Sequence, residues 1–543
     1  MKLPILIMTG YKVMRDKTDW RPHARDAAVW LRLQMLQKAG VLSDVGAKEL
    51  AAINERRDYL NRSVEDSDFF GSYISGFRQI VGDASPIIKA TPDSRLRTAH
   101  ELRQDPTPEL QQGWSTFCRS DPQGAFDSLS GGELTPENAG LWAEFLAGLA
   151  FGDEQNKAIR HELSLKALEH LRDIDTDVLL PMHSSLCDVI HFGPRNRVDD
   201  VDGWLDRLWA VMSSQSEETT DLADDLFDDL YGRAINSPAG RLAETLLREI
   251  SKRRKSEKEP TAIQQGLLRR ICEDEGKSGL LGRAVFAQDV AFLLTVDRRF
   301  VEETLKPYMN SSEPEGAVLR SVMLKYGRIT PGVTQVLAEA IKAGIVEPLS
   351  NDDMASTIAA NILRPALADL REDEEVEWGL FAADVSQLLR GAPQAIRSGA
   401  LDVLSRWLND YETGAESGWH EMVAPFFERV WPKERKFLDA SLTPHLIDLA
   451  VGSGEEFPAA LKMLRPYISP YDQGHGSLHG IRSSDAPERF PKETLELLWL
   501  VCGPNSRASF FELHKIIDRL IESDPDIETD RRLQWLEQHA ERV

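Results

Sequence analysis

Apolar residues recur along this chain with the period of an α-helix. Leu141, Trp142, Phe145, Leu146 and Leu149 share one helical face, as do Leu205, Leu208, Trp209 and Met212. The spacing returns at Leu242, Leu246, Leu247 and Ile250, at Leu495, Leu498, Trp499 and Cys502, and at Leu513, Ile517, Leu520 and Ile521. Alternation of apolar and polar residues, the mark of a half-buried strand, is nearly absent. The run LPILIM, from Leu3, is the one candidate strand, and it has no evident partner.

Punctuation agrees with the periodicity. Ser237-Pro238, Thr330-Pro331 and Thr443-Pro444 read as helix starts, with a hydroxyl to cap free amides and a proline that loses no hydrogen bond in the first turn. Pro365, Pro393, Pro425, Pro458 and Pro466 divide the second half into short helices. Short amphipathic helices bury their apolar faces by stacking, and no fixed period stands out. The expected fold is therefore all-α: a degenerate HEAT-like helical-repeat solenoid with a small irregular N-terminal region. The expected divisions are an N-terminal region at 1–110, a helical-repeat region at 111–330 and a C-terminal helical-repeat region at 331–543. Loops are expected at Asp66–Pro92, Ser251–Pro260 and Asp472–Pro487.

Charge narrows the partners. The chain has 88 acidic and 64 basic residues, for a net charge of -24, which repels nucleic acid and anionic membranes. Four cysteines without a CxxC pair argue against a zinc ribbon or disulfide framework and suit a cytoplasmic protein. LPILIM is too short for a signal-peptide core, and no stretch approaches a membrane span.

Two constellations suggest chemistry. His183, Cys187 and His191 stand four residues apart on one helical face and are credible zinc ligands, but the surrounding apolar residues read as core and no fourth ligand is fixed. The stretch SPYDQGHGSLHGI, from Ser469, gathers Tyr471, Asp472, His475 and His479 among glycines. Without a nucleophile elbow it reads as a non-helical, metal-free connection between helices, in which polar side chains bond nearby backbone. The run SKRRKSEKEP reads as a solvated loop, and DLADDLFDDLYG as an acidic face of a helix without calcium-loop spacing. No phosphate-binding P-loop and no dinucleotide fingerprint is present, so no catalytic residue, metal or cofactor is assigned.

Several longer stretches carry a resemblance. They are NSPAGRLAETLL from Asn236, GLLGRAVFAQDVAFLLTVDRRFVEETLKPYM from Gly279, WHEMVAPFFERVWPKER, FPAALKMLRPYISPYD with a downstream LH, and FPKETLELLWLV. Together they resemble the C-terminal helical region of bacterial sirtuin-type anti-phage defence proteins, over residues 110–543 and without the sirtuin-type domain itself. The resemblance implies a non-enzymatic sensor or scaffold that binds a protein partner, either an effector subunit or a phage component. Candidate binding residues are Asn236, Arg241, Tyr471, Asp472, His475 and His479. NAD hydrolysis would belong to the sirtuin-type domain, and no residue here carries it over. The competing expectations are an enzyme with a cryptic metal or hydrolase site, and the sensor part of an NAD-hydrolysing system.

Overall fold

The computed structural model describes residues 42–56, 82–152, 157–193, 200–215, 229–347, 354–371, 377–471, 478–508 and 513–540, with Val29, Trp30, Leu33, Gln34, Gln37 and Phe510. Every regular element among these residues is helical, and none is a strand. LPILIM and the stretch DSDFFGSYISGF lie outside the described residues, as does the acidic run up to Asp228.

The chain divides into two compact units, Met1–Thr116 and Phe117–Val543. In the first, Trp30, Leu50 and Ile53 form a small core edged by Val29, Leu33 and Leu42. The expected loop Asp66–Pro92 is interrupted there by a short helix, Ser85–Lys89, which Pro86 opens in its first turn.

The second unit holds the principal helices. They are α1 (Pro136–Phe151), α2 (His183–Phe192), α3 (Val201–Ser214), α4 (Pro238–Lys255), α5 (Ala262–Glu273), α6 (Lys277–Gln288) and α7 (Pro314–Tyr326). Then follow α8 (Pro331–Val346), α9 (Ala355–Leu370), α10 (Gln394–Asn409), α11 (Thr443–Val451), α12 (His479–Ser483), α13 (Pro491–Cys502) and α14 (Leu513–Ser523). In the series α1, α2, α4, α6, α7, α9, α10, α11, each helix packs on the next. The predicted stripes are buried: Trp142 and Phe145 on α1, Leu246 and Ile250 on α4, and Leu208 and Trp209 on α3, which packs beside α2 and α4.

A recurring arginine device closes successive joints. Arg283, only 1% exposed, donates Nη1–H bonds to the carbonyls of Cys272 (2.8 Å) and Asp274 and pairs with Glu315. Arg320, 5% exposed, donates to the carbonyls of Met309 and Ser311, both at 2.8 Å, and pairs with Glu347. Each member of the second set lies 37 residues after its counterpart in the first, except for the carboxylate. A glycine precedes each arginine by four residues. A Cβ on Gly279 would lie 1.9 Å from the Asp274 oxygen, and one on Gly316 2.2 Å from that of Ser311, so only glycine lets the helix approach this closely. Carbonyls left free where a helix ends are thus met by a guanidinium whose own burial requires those partners. Arg160 makes a related bond to the Leu149 carbonyl (2.8 Å), again eleven residues back.

Three further local expectations change. SKRRK is not loop: α4 continues to Lys255, and only the residues after it turn away. The connection expected at Asp472–Pro487 contains α12, which begins at His479, and a further turn, Ala486–Arg489. Thr443 does not cap α11 but is its first residue. Its buried hydroxyl donates to the Ser469 carbonyl (2.7 Å) and accepts the Ser469 N–H (3.2 Å), tying two segments together. Ser237 and Thr330 do cap α4 and α8, accepting from Gly240 and Val333.

Candidate functional site

The glycine-rich stretch does not assemble a site among the described residues. Asp472 and His475 lie outside them. Tyr471 is buried, its carbonyl held by the Arg507 amide (2.9 Å) and the Ser506 hydroxyl (2.8 Å), its ring packed on Phe510. His479 opens α12 and meets Arg482 through Nδ1 at 3.3 Å. Burial pushes the Asp448 carboxyl up, and the nearby His445 and His479 pull it back.

His183, Cys187 and His191 do share α2, but each side chain turns to a different neighbour. His183 Nδ1 meets the Leu180 carbonyl at 2.6 Å. Cys187 is buried, and burial pushes its thiol far above the usual range. His191 contacts Thr245 Oγ1 at 3.0 Å and the Glu244 carboxylate at 3.5 Å, both on α4. No group of three or more His, Cys, Asp or Glu side chains is placed to hold a metal among the described residues. Around α4, burial raises Glu244 and Asp289, and the charge of Asp289 raises Glu244 further.

Arg241 and Asn236 part company. Asn236 donates to the Gly232 carbonyl (2.7 Å) at the end of a short helix and is exposed. Arg241 pairs with the buried Asp188, and its guanidinium lies 5.8 Å from the Phe151 ring and 5.5 Å from that of Phe192. Those rings are 5.2 Å apart, with Phe151 57% and Phe192 37% exposed. An internal ion pair thereby supports an aromatic pair that faces outward.

A concavity lies elsewhere, across α9 and α10. Two adjoining hollows of 820 and 660 Å³ share Arg364, Trp378 and Trp407. Pro365 within α9 denies the Asn361 carbonyl its usual intrahelical donor beside this cleft. Trp378 is placed by the segment Glu377–Leu380, which lies against the start of α8. There the Gln335 side chain donates to the Glu377 carbonyl (2.8 Å), and the Gly379 amide donates to the Thr334 hydroxyl (3.2 Å). A Cβ on Gly379 would stand 2.4 Å from the Thr334 carbonyl oxygen, so this seat is closed to other residues.

Among the described residues the larger hollow is lined by Arg328, Arg364 and Arg406 and by no carboxylate. Arg406 shares Asp402 with Ser356, at 3.0 and 2.8 Å. Arg364 lies 5.9 Å from the Trp407 ring, and neither it nor Arg328 has a carboxylate partner among the described residues. The smaller hollow is lined by Asp410, Glu412 and Glu421 and by Arg371, with the Tyr411 hydroxyl donating to Glu421 at 2.7 Å and accepting from Arg371 at 3.2 Å. The indole N–H of Trp378 is buried and has no hydrogen-bond partner among the described residues. The acidic residues Glu372, Asp373, Glu374 and Glu375 precede Trp378 in the chain and lie outside the described residues.

None of the charged or aromatic cleft residues was singled out from the sequence, where they are scattered from Arg328 to Glu421; Thr330 and Pro331 of the lining were read only as a helix start. One signal was available. Trp407 stands beside the buried stripe Leu401, Leu404, Leu408 rather than in it, next to Arg406.

No family model and no solved structure matches the chain. An uncharacterized protein of Sinorhizobium fredii, y4cA, is 29% identical over 524 residues, covering 96% of this chain. The chain spans 43% of that relative's length. Among the described residues no single helix is long and apolar enough to cross a membrane.

Proposed function

We propose that this chain is a non-enzymatic helical-repeat sensor or scaffold that binds a protein partner in bacterial anti-phage defence. Its second unit is a degenerate HEAT-like solenoid. The observation that carries the reading is the arginine device, repeated at the same spacing within an unbroken series of helix-on-helix contacts. Modules that each need their neighbour to complete a core build long, stiff surfaces, and such surfaces bind other proteins. A relative more than twice as long supports the idea that this region works joined to, or alongside, further protein.

The partner surface is the Phe151–Phe192 pair over Arg241. Aromatic rings held rigidly by an internal cation lose little entropy on docking, as anchors at protein interfaces do. The partner is an effector subunit encoded beside this chain, and the complex forms in the cytoplasm. Co-expression with each neighbouring gene product, followed by light scattering of the purified material, tests this. A stoichiometric complex that is lost in Phe151→Asp/Phe192→Asp, with the helical signal and thermal midpoint of the chain unchanged, is the expected result. A complex that survives this double variant, or its absence with every co-encoded protein, overturns the proposal.

A further inference from the structure

We propose that the cleft across α9 and α10 is a binding site for a mononucleotide, a flat base with a short phosphate tail. It is separate from the partner surface at Phe151 and Phe192 and does not depend on it. In a chain of net charge -24, the larger hollow gathers three guanidinium groups and no carboxylate among the described residues; Arg406 is already paired with Asp402, so Arg328 and Arg364 carry the hollow's positive charge. Like charges facing one hollow repel, and a bound anion relieves that repulsion. Guanidinium forks match phosphate oxygens in pairs, with charge on both sides of each bond. Arg364 and Arg328 have no carboxylate partner among the described residues to displace first.

The aromatic content selects a ring rather than a bare anion. Trp378 and Trp407 line both hollows where they join, and an indole face stacks a nucleobase well. The larger hollow, at 820 Å³, falls within the roughly 300–1,000 Å³ usual for small-ligand sites. The carboxylates at the far end distinguish a mononucleotide from a nucleic-acid strand. A strand continuing past Trp407 would meet Asp410, Glu412 and Glu421 with Arg371 as the one further cation in the lining among the described residues, whereas a single nucleotide keeps its charge beside Arg328 and Arg364.

Titration calorimetry and tryptophan quenching on the full chain test the proposal. The probes are ATP, GTP and AMP, inorganic triphosphate, a twelve-residue single-stranded oligonucleotide and a glutamate-rich decapeptide. Saturable binding of at least one nucleotide is expected, tighter than that of triphosphate, oligonucleotide or peptide. Arg364→Gln and Trp407→Leu should each weaken it about tenfold or more. Arg299→Ala, which breaks a surface pair with Glu303 away from the cleft, should leave it unchanged. Should Trp407→Leu fail to fold, Arg364→Gln and Arg328→Gln carry the test, since both side chains are exposed. No nucleotide binding at millimolar concentration overturns the proposal. So does affinity unchanged in the arginine variants, or tighter binding of the oligonucleotide or the peptide. Loss of nucleotide binding would leave the effector complex intact, which separates failure here from failure of the scaffold reading.

Discussion

Arginine does opposite work in two regions of this molecule. Arg283 and Arg320 are withdrawn from water and donate to helix-end carbonyls and a carboxylate. Arg328 and Arg364 stay exposed, beside tryptophans, and answer no carboxylate among the described residues. A buried guanidinium survives only where its partners are already fixed, so the first pair belongs to the frame. An exposed one keeps its hydration until something better arrives, so the second pair belongs to the surface.

The contrast breaks most sharply at Arg283. Arg283→Ala leaves two helix-end carbonyls and Glu315 without their partner and should cost about 3 to 5 kcal/mol in denaturant unfolding. A loss below about 1 kcal/mol would show that water replaces the device and that it holds nothing together. Leu246→Ala in α4 sets the apolar scale for comparison. The side chain is fully buried, and its truncation should cost about 2 to 5 kcal/mol by the same measurement. Ser237→Ala removes the cap from the same helix, where the hydroxyl accepts the Gly240 amide at 3.0 Å, and should cost about 1 kcal/mol.

A smaller, pH-dependent effect is expected at Asp289. Its carboxyl is held above the ordinary range by burial, so the charged form is disfavoured in the folded state. That penalty is present above the folded-state value and fades as pH falls through it toward the unfolded one. Asp289→Asn should therefore raise the thermal midpoint at neutral pH, and the gain should vanish below the ordinary aspartate range. A gain that persisted at pH 3 would assign the effect to something other than ionisation. The least effect on stability is expected for Arg364→Ala, within about 0.5 kcal/mol, because the side chain is exposed and has no carboxylate partner among the described residues. A loss as large as that of Arg283→Ala would erase the distinction between frame and surface.

How much of this could be read beforehand depends on the range of each interaction. Helix faces were legible because burial repeats every three to four residues: the stripes of α1, α3 and α4 are buried as their spacing implies. The Ser237 cap was legible because it acts within three residues. Thr443 has the same local signature yet bonds Ser469, twenty-six residues on, and no local rule distinguishes the two. His479 was expected in a loop among glycines, but it opens a helix, because Leu478 and Ile481 are buried around it and burial outweighs weak propensity. The arginine device lay half in view. GLLGR and GAVLR stand 37 residues apart, but an arginine in a sequence reads as surface until the carbonyls it serves are seen.

The sequence by itself determined that this chain is helical, where its main apolar faces lie and where two of its helices start, since those choices rest on contacts within one or two turns. Only the tertiary structure decided which arginines are buried, that Arg241 supports Phe151 and Phe192, and that Arg328, Trp378 and Trp407 line one cleft. Those outcomes depend on which helix ends meet across long stretches of chain. A polar side chain carries no mark of which carbonyl, carboxylate or empty space it will face.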